Sequence, residues 1–180
     1  DDSTDANVTG NENGNWLKIV DVDGDGVADY IMKTEFAMAE ITDVTKKGVY
    51  TFSELENDDA VSFEAEEVES KDIVTSDDLA EGDIVVYTLI DGVYYVDLAE
   101  IVTESIDKKG ISTKNETITC DGTVYTQSHI GYSDVTGFEA DITNADTQVS
   151  YDLYLDHFGY VRLYTPTGYN NGFALLTDGY

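Results

Sequence analysis

The stretch Asp21-Val22-Asp23-Gly24-Asp25-Gly26-Val27-Ala28-Asp29 is where residue type and spacing point most directly to chemistry. Asp21, Asp23 and Asp25 occupy alternate positions, Asp29 follows at the ninth, and Gly26 stands at the sixth. A short acidic loop of this kind surrounds a hard cation: calcium takes about six to eight oxygens at roughly 2.3–2.6 Å, from carboxylates at positions 1, 3 and 5, a backbone carbonyl at 7 and a direct or water-mediated ligand at 9. The predicted metal ligands are therefore Asp21, Asp23, Asp25, the Val27 carbonyl and Asp29, with Ca2+ as the ion and Gly26 supplying the sharp turn. Like charges about 5 Å apart repel by roughly 1 kcal/mol per pair even in water, so a loop with four carboxylates tends to open unless a cation sits among them.

The flanking residues decide what carries this loop. Trp16-Leu17-Lys18-Ile19-Val20 and Tyr30-Ile31-Met32-Lys33-Thr34 are β-branched and aromatic runs of strand length, which predicts a hairpin. The bidentate Glu that a helix-loop-helix calcium site places at position 12 is replaced by Met32, and no helical period flanks the loop.

The rest of the chain reads as β throughout. From Phe36 onward apolar runs of strand length are broken by turn signals at intervals of about 8–12 residues. Ile84–Ile90, Asp91-Gly92 and Val93–Leu98 predict a two-residue hairpin, as do Thr117–Cys120, Asp121-Gly122 and Thr123–Tyr125. A third hairpin pairs Val149–Leu155 with Tyr160–Tyr164 across Asp156–Gly159. The one short helix candidate is Ser76–Ala80, with Ser76 as N-cap.

Two portions share a plan, one opening at Ala39-Glu40-Ile41-Thr42 and the other at Ala99-Glu100-Ile101-Val102, each closing on a strong hairpin. A period of about 60 residues with five or six short strands suits a small barrel repeated in tandem. The predicted fold class is thus all-β: two tandem small β-barrel-like subdomains preceded by a calcium-loop β-hairpin. The divisions are 1–15 as a polar arm or linker, 16–35 as the hairpin, 36–102 and 103–167 as the two barrels, and 168–180 as a C-terminal strand.

Composition narrows the partners. With 38 acids against 9 bases the net charge is −29, which repels nucleic acid and anionic membrane faces and excludes both as partners at this stage. There is neither an apolar run of about 18 residues nor a basic-then-apolar start, so neither a membrane span nor a signal peptide is expected. Cys120 is the single cysteine, so no internal disulfide forms, and its place in a β run marks it as a small core residue. His129 and His157, the two histidines, lie in a polar stretch and a turn, and no phosphate-cradling loop, paired-cysteine or zinc-protease motif is present. No catalytic residue is assigned, and the chain is expected not to be an enzyme. The 13 tyrosines suit β surfaces first and sugar-stacking platforms second.

Taken together, the Ile19–Tyr30 hairpin, the Gly82–Tyr87 and Leu153–Asp156 strands and the Gly172–Asp178 ending resemble the β-rich repeat region of surface proteins of Gram-positive, Clostridia-like bacteria that also carry S-layer homology domains. The loop itself resembles the DxDxDGxxD calcium hairpins of integrin-type propeller repeats. The resemblance implies an extracellular, cell-surface or cell-wall location and a role as a spacer or display module. The S-layer homology motif is absent from these residues, so wall anchoring by them is not implied. Expected partners are other repeats of such a protein, host or cell-wall glycans, or copies of the chain itself. The leading expectation is a non-catalytic structural or interaction module held by calcium. A carbohydrate-binding or adhesin module and a self-assembling fibre subunit are the alternatives.

Overall fold

In the computed structural model the described residues are 14, 16–55, 67–111, 115–128 and 137–167. Fourteen strands and one 3-10 turn make up their regular structure, so the chain is all-β. The expected C-terminal strand at 168–180, the arm before Gly14 and His129 lie outside the described residues.

The chain enters through β1 (Trp16–Val20) and β2 (Tyr30–Thr34), an antiparallel pair in register from Trp16 opposite Thr34 to Val20 opposite Tyr30. This hairpin forms its own two-stranded sheet. No residue of either strand belongs to the three hydrophobic core clusters.

A six-stranded sheet follows, built from β3 (Ala37–Val44), β4 (Val49–Glu54), β5 (Glu67–Glu69), β6 (Ile73–Val74), β7 (Ile84–Ile90) and β8 (Val93–Leu98), in the order β5-β4-β3-β7-β8-β6. All its pairings are antiparallel except β6 on β8. The two edge strands β5 and β6 are consecutive in the chain, joined only by the 3-10 turn Ser70–Asp72.

The remaining strands are β9 (Glu100–Ser105), β10 (Lys108–Ile111), β11 (Glu116–Cys120), β12 (Thr123–Thr126), β13 (Ser150–Leu155) and β14 (Val161–Pro166). They form two three-stranded sheets, β14-β13-β9 and β10-β11-β12. Only Ile106 and Asp107 separate β9 from β10, so one stretch of chain serves both sheets. On the other side a single parallel bridge joins Gln127, just past β12, to Val161 of β14. None of the four hydrogen-bonded sheets closes on itself, so the expected closed barrels are not what the ladders form.

Side-chain alternation explains the cores. Successive strand residues point to opposite faces, and Ala37, Ala39 and Ile41 of β3 with Val85 and Tyr87 of β7 line one cluster, together with Phe52, Val68, Tyr94 and Val96. A second cluster holds Ile106, Ile118, Cys120, Ile142, Tyr151, Leu153, Leu155, Val161 and Tyr164. The intervening positions turn the other way: Met38, Ile84 and Val86 meet Ala140, Tyr154 and Leu163 in a third cluster that joins residues from both halves of the chain.

The predicted turns at Asp91-Gly92 and Asp121-Gly122 are present, each with two residues at positive φ (52° and 79°, 45° and 81°), the signature of a type I′ turn. The helix expected at Ser76–Ala80 is not formed. The Ala80 N–H that would close the helical turn donates to Asp83 Oδ2 instead, and Asp77 is held outside a helix by its N–H on Thr75 Oγ1 and its Oδ2 on Leu98 N–H.

Candidate metal centre

The loop between β1 and β2 is closed at its base by Asp29 N–H donating to the Val20 carbonyl at 2.9 Å. Inside it the carboxylates organise the backbone. Asp21 Oδ1 accepts Gly24 N–H at 2.7 Å and its Oδ2 accepts Gly26 N–H at 2.9 Å. Asp29 Oδ2 reaches across to Val22 N–H at 2.6 Å, while Asp23 and Asp25 each accept the amide two residues on, at 3.2 and 2.7 Å. Gly24 and Gly26 sit at φ of 76° and 87°, conformations that L side chains adopt at a cost of about 1–2 kcal/mol. Gly26, expected at the sharp turn, and Gly24 beside it are therefore both required by the path of the chain.

This folding brings Asp21, Asp23 and Asp29 together, with one oxygen of each within 4.8 Å of the others. Oxygens at roughly 2.3–2.6 Å on opposite sides of a single calcium ion are about that far apart, so the three carboxylates fit a cation and can hold one. All three are exposed. Asp25 is not in this group, and its Oδ1 is engaged with Val27 N–H. The Gly26 and Gly24 amides hold the Asp21 carboxyl below the ordinary range, in that order of effect.

The seat of the hairpin was not legible beforehand. Gly14 is buried at φ 103°, and a β-carbon on it would lie 2.3 Å from Ser128 Oγ and 3.0 Å from Asp156 Oδ2. On the far side of the hairpin the Phe36 ring meets His157 edge-on, with centroids 4.8 Å apart, and Phe158 at 6.1 Å. Gly14, just ahead of β1, and Phe36, just past β2, therefore both lie beside the β13–β14 turn, Gly14 beside Ser128 as well. Asp156 shapes that turn, its Oδ1 accepting Phe158 N–H at 2.9 Å and Tyr160 N–H at 3.0 Å. Burial pushes the Asp156 carboxyl up, against the pull of those two amides and of buried Arg162. In sequence only the turn itself was visible, because Gly14 becomes informative only once Ser128 and Asp156 are beside it.

The other chemistry-bearing residues take structural positions. His157 Nε2 lies 3.8 Å from Asp97 Oδ2 across the two halves. Cys120 is 1% exposed, and burial first, then the charges of Glu104 and Asp107, push its thiol up to about 11. Tyr94 is buried and Tyr95 exposed, as strand alternation demands, whereas Tyr151, Tyr154 and Tyr164 are buried in cores and offer no platform for a sugar ring. No helix among the described residues is long and apolar enough to cross a membrane.

No family model matches the chain, and no curated protein and no solved structure matches it either.

Proposed function

We propose that this chain is a non-catalytic structural module of a bacterial cell-surface protein, extracellular, with calcium bound in the β1–β2 loop. The observation that carries the reading is the convergence of Asp21, Asp23 and Asp29 at the tip of a hairpin with no share in any hydrophobic core. A two-stranded hairpin is marginal in water on its own, so an ion bridging its tip is a natural source of order. In this reading the Val27 carbonyl, Asp25 and water complete the shell. The surface location rests on the resemblance of the hairpin and strands to surface-protein repeats, and on the large acidic charge, which suits an ion-rich medium.

The two halves are read as one plan used twice. In the first, β3 is flanked by β4 and β7, β5 lies beyond β4, and β6 runs parallel to β8. In the second, the β9–β10 stretch takes the place of β3, β11 and β12 those of β4 and β5, β13 and β14 those of β7 and β8, and Gln127 bridges β14 in parallel as β6 does β8. Two rolled, barrel-like units in tandem account for this correspondence; β9, which straddles the expected division at 102/103, pairs with β13 of the second unit along its whole length.

Calorimetric titration of chelated protein with calcium, with magnesium as control, tests the metal. Amide exchange across residues 16–34 should slow on calcium addition, by an amount corresponding to about 2.7 kcal/mol when calcium is at 100 times the dissociation constant. Asp21→Asn and Asp23→Asn should each abolish most of that slowing. Exchange that ignores calcium in the parent protein would refute the reading.

A further inference from the structure

Gly14 enters the fold against two side-chain oxygens. A β-carbon there would lie 2.3 Å from Ser128 Oγ and 3.0 Å from Asp156 Oδ2, so both oxygens converge on one point of the backbone just ahead of β1. Asp156 is 4% exposed and Ser128 2%. The two oxygens of Asp156 are unequal: Oδ1 accepts the Phe158 and Tyr160 amides, whereas Oδ2 is buried and has no hydrogen-bond partner. An ionised carboxylate can only accept, while its acid form carries one O–H donor, and a serine hydroxyl has lone pairs to receive it.

We infer that Asp156 is a proton-operated catch at the entry to the β1–β2 hairpin: as the neutral acid its Oδ2–H donates to Ser128 Oγ and holds Gly14 against the β13–β14 turn, and as the carboxylate it lets that entry open to water. A buried charge draws in water where opening costs least. The turn is anchored, because Leu155 and Val161 on either side of it belong to the second cluster, and Ser128 N–H donates to the Val161 carbonyl at 2.8 Å. No β1 or β2 residue shares in any cluster, so the hairpin side yields. Burial holds the Asp156 carboxyl above its ordinary range, against the pull of the Tyr160 and Phe158 amides, of Arg162 on β14 and of His157 on the same turn. Asp97 of β8, 3.8 Å from His157 Nε2, is the next charge outward; Phe36 brings an uncharged ring, and Glu35 ahead of it is paired with Lys33. A carboxyl raised in the folded state keeps the catch closed at low pH and releases it as pH rises through the folded value. The catch needs no ion in the loop, so it stands apart from the calcium reading.

The experiment measures amide-exchange protection at residues 17–20 and 30–34, each rate divided by that of an unstructured chain at the same pH, between about pH 4 and about pH 7. It compares the full chain with Asp156→Asn and Ser128→Ala, in chelator and again in calcium, with β7 and β13 amides as the control for folding. In the parent, hairpin protection should fall about tenfold across that range while β7 and β13 keep theirs. Asp156→Asn keeps an acceptor for the turn amides and offers a permanent donor to Ser128, so its hairpin should stay protected throughout. Ser128→Ala should lose the gain at low pH. Trp16, the only tryptophan and close behind Gly14, should shift to the red with rising pH in the parent and not in Asp156→Asn. Hairpin protection in the parent that ignores pH overturns the proposal. So does a pH dependence that survives in Asp156→Asn or in Ser128→Ala, or one shared equally by β7 and β13.

Discussion

Asp156 shows how one buried carboxylate can serve a turn and still work against stability. Its Oδ1 is satisfied by the Phe158 and Tyr160 amides, but Oδ2 is buried and accepts no hydrogen bond. Burial raises its pKa above the ordinary 3.8. A carboxyl raised in the folded state binds its proton more tightly there than in the unfolded chain. Its favourable contribution is therefore complete below pH 3.8 and is lost as pH rises through the folded value. Asn keeps an acceptor for both amides and removes the charge. Asp156→Asn should thus be more stable than the parent at pH 7, with the gap narrowing as pH is lowered toward the ordinary carboxylate range. Urea unfolding of both proteins across that range measures it. Asp21 has the opposite sign, since the Gly26 and Gly24 amides above all favour its charged form, and its contribution is lost as pH falls through its depressed value.

At the scale of elements, the hairpins were the most legible feature, for a local reason. Asp91-Gly92 and Asp121-Gly122 pair a residue that tolerates positive φ with one that adopts it freely, and both turns form with that geometry. A β-carbon on Gly92 would meet nothing within 4 Å, so Gly92→Ala should cost only the backbone strain, about 1–2 kcal/mol. Chemical denaturation should show that loss with the slope unchanged. The helix expected at Ser76–Ala80 failed for an equally physical reason: Asp77 and Asp83 serve as local acceptors and as a partner for β8, a choice made by the fold and invisible in propensity. In the metal loop the spacing foretold the convergence of Asp21, Asp23 and Asp29. Asp25 lies outside that group, its Oδ1 accepting Val27 N–H.

At the scale of the molecule, β character was readable from period-2 patterning, but the way the sheets meet was not. Whether a curling sheet joins its own edges depends on a few pairings, such as Gln127 with Val161, that leave no mark in composition. The third hydrophobic cluster was equally hidden, because the positions that alternate away from each half's own core look like ordinary strand residues until the halves meet. Leu163 is fully buried there. Leu163→Ala should cost about 2–5 kcal/mol and, by weakening the shared layer, should pull one cooperative unfolding transition toward two. Calorimetry would reveal this as a van't Hoff enthalpy below the calorimetric one.

The seat of Gly14 against Ser128 and Asp156, set beside that of Phe36 on His157 and Phe158, has a mechanical corollary. Gly14 stands just ahead of β1 and Phe36 just past β2, so the Asp156–Phe158 turn touches the chain at both the entry to and the exit from the hairpin, and a substitution that reshapes this turn is felt at the hairpin's root.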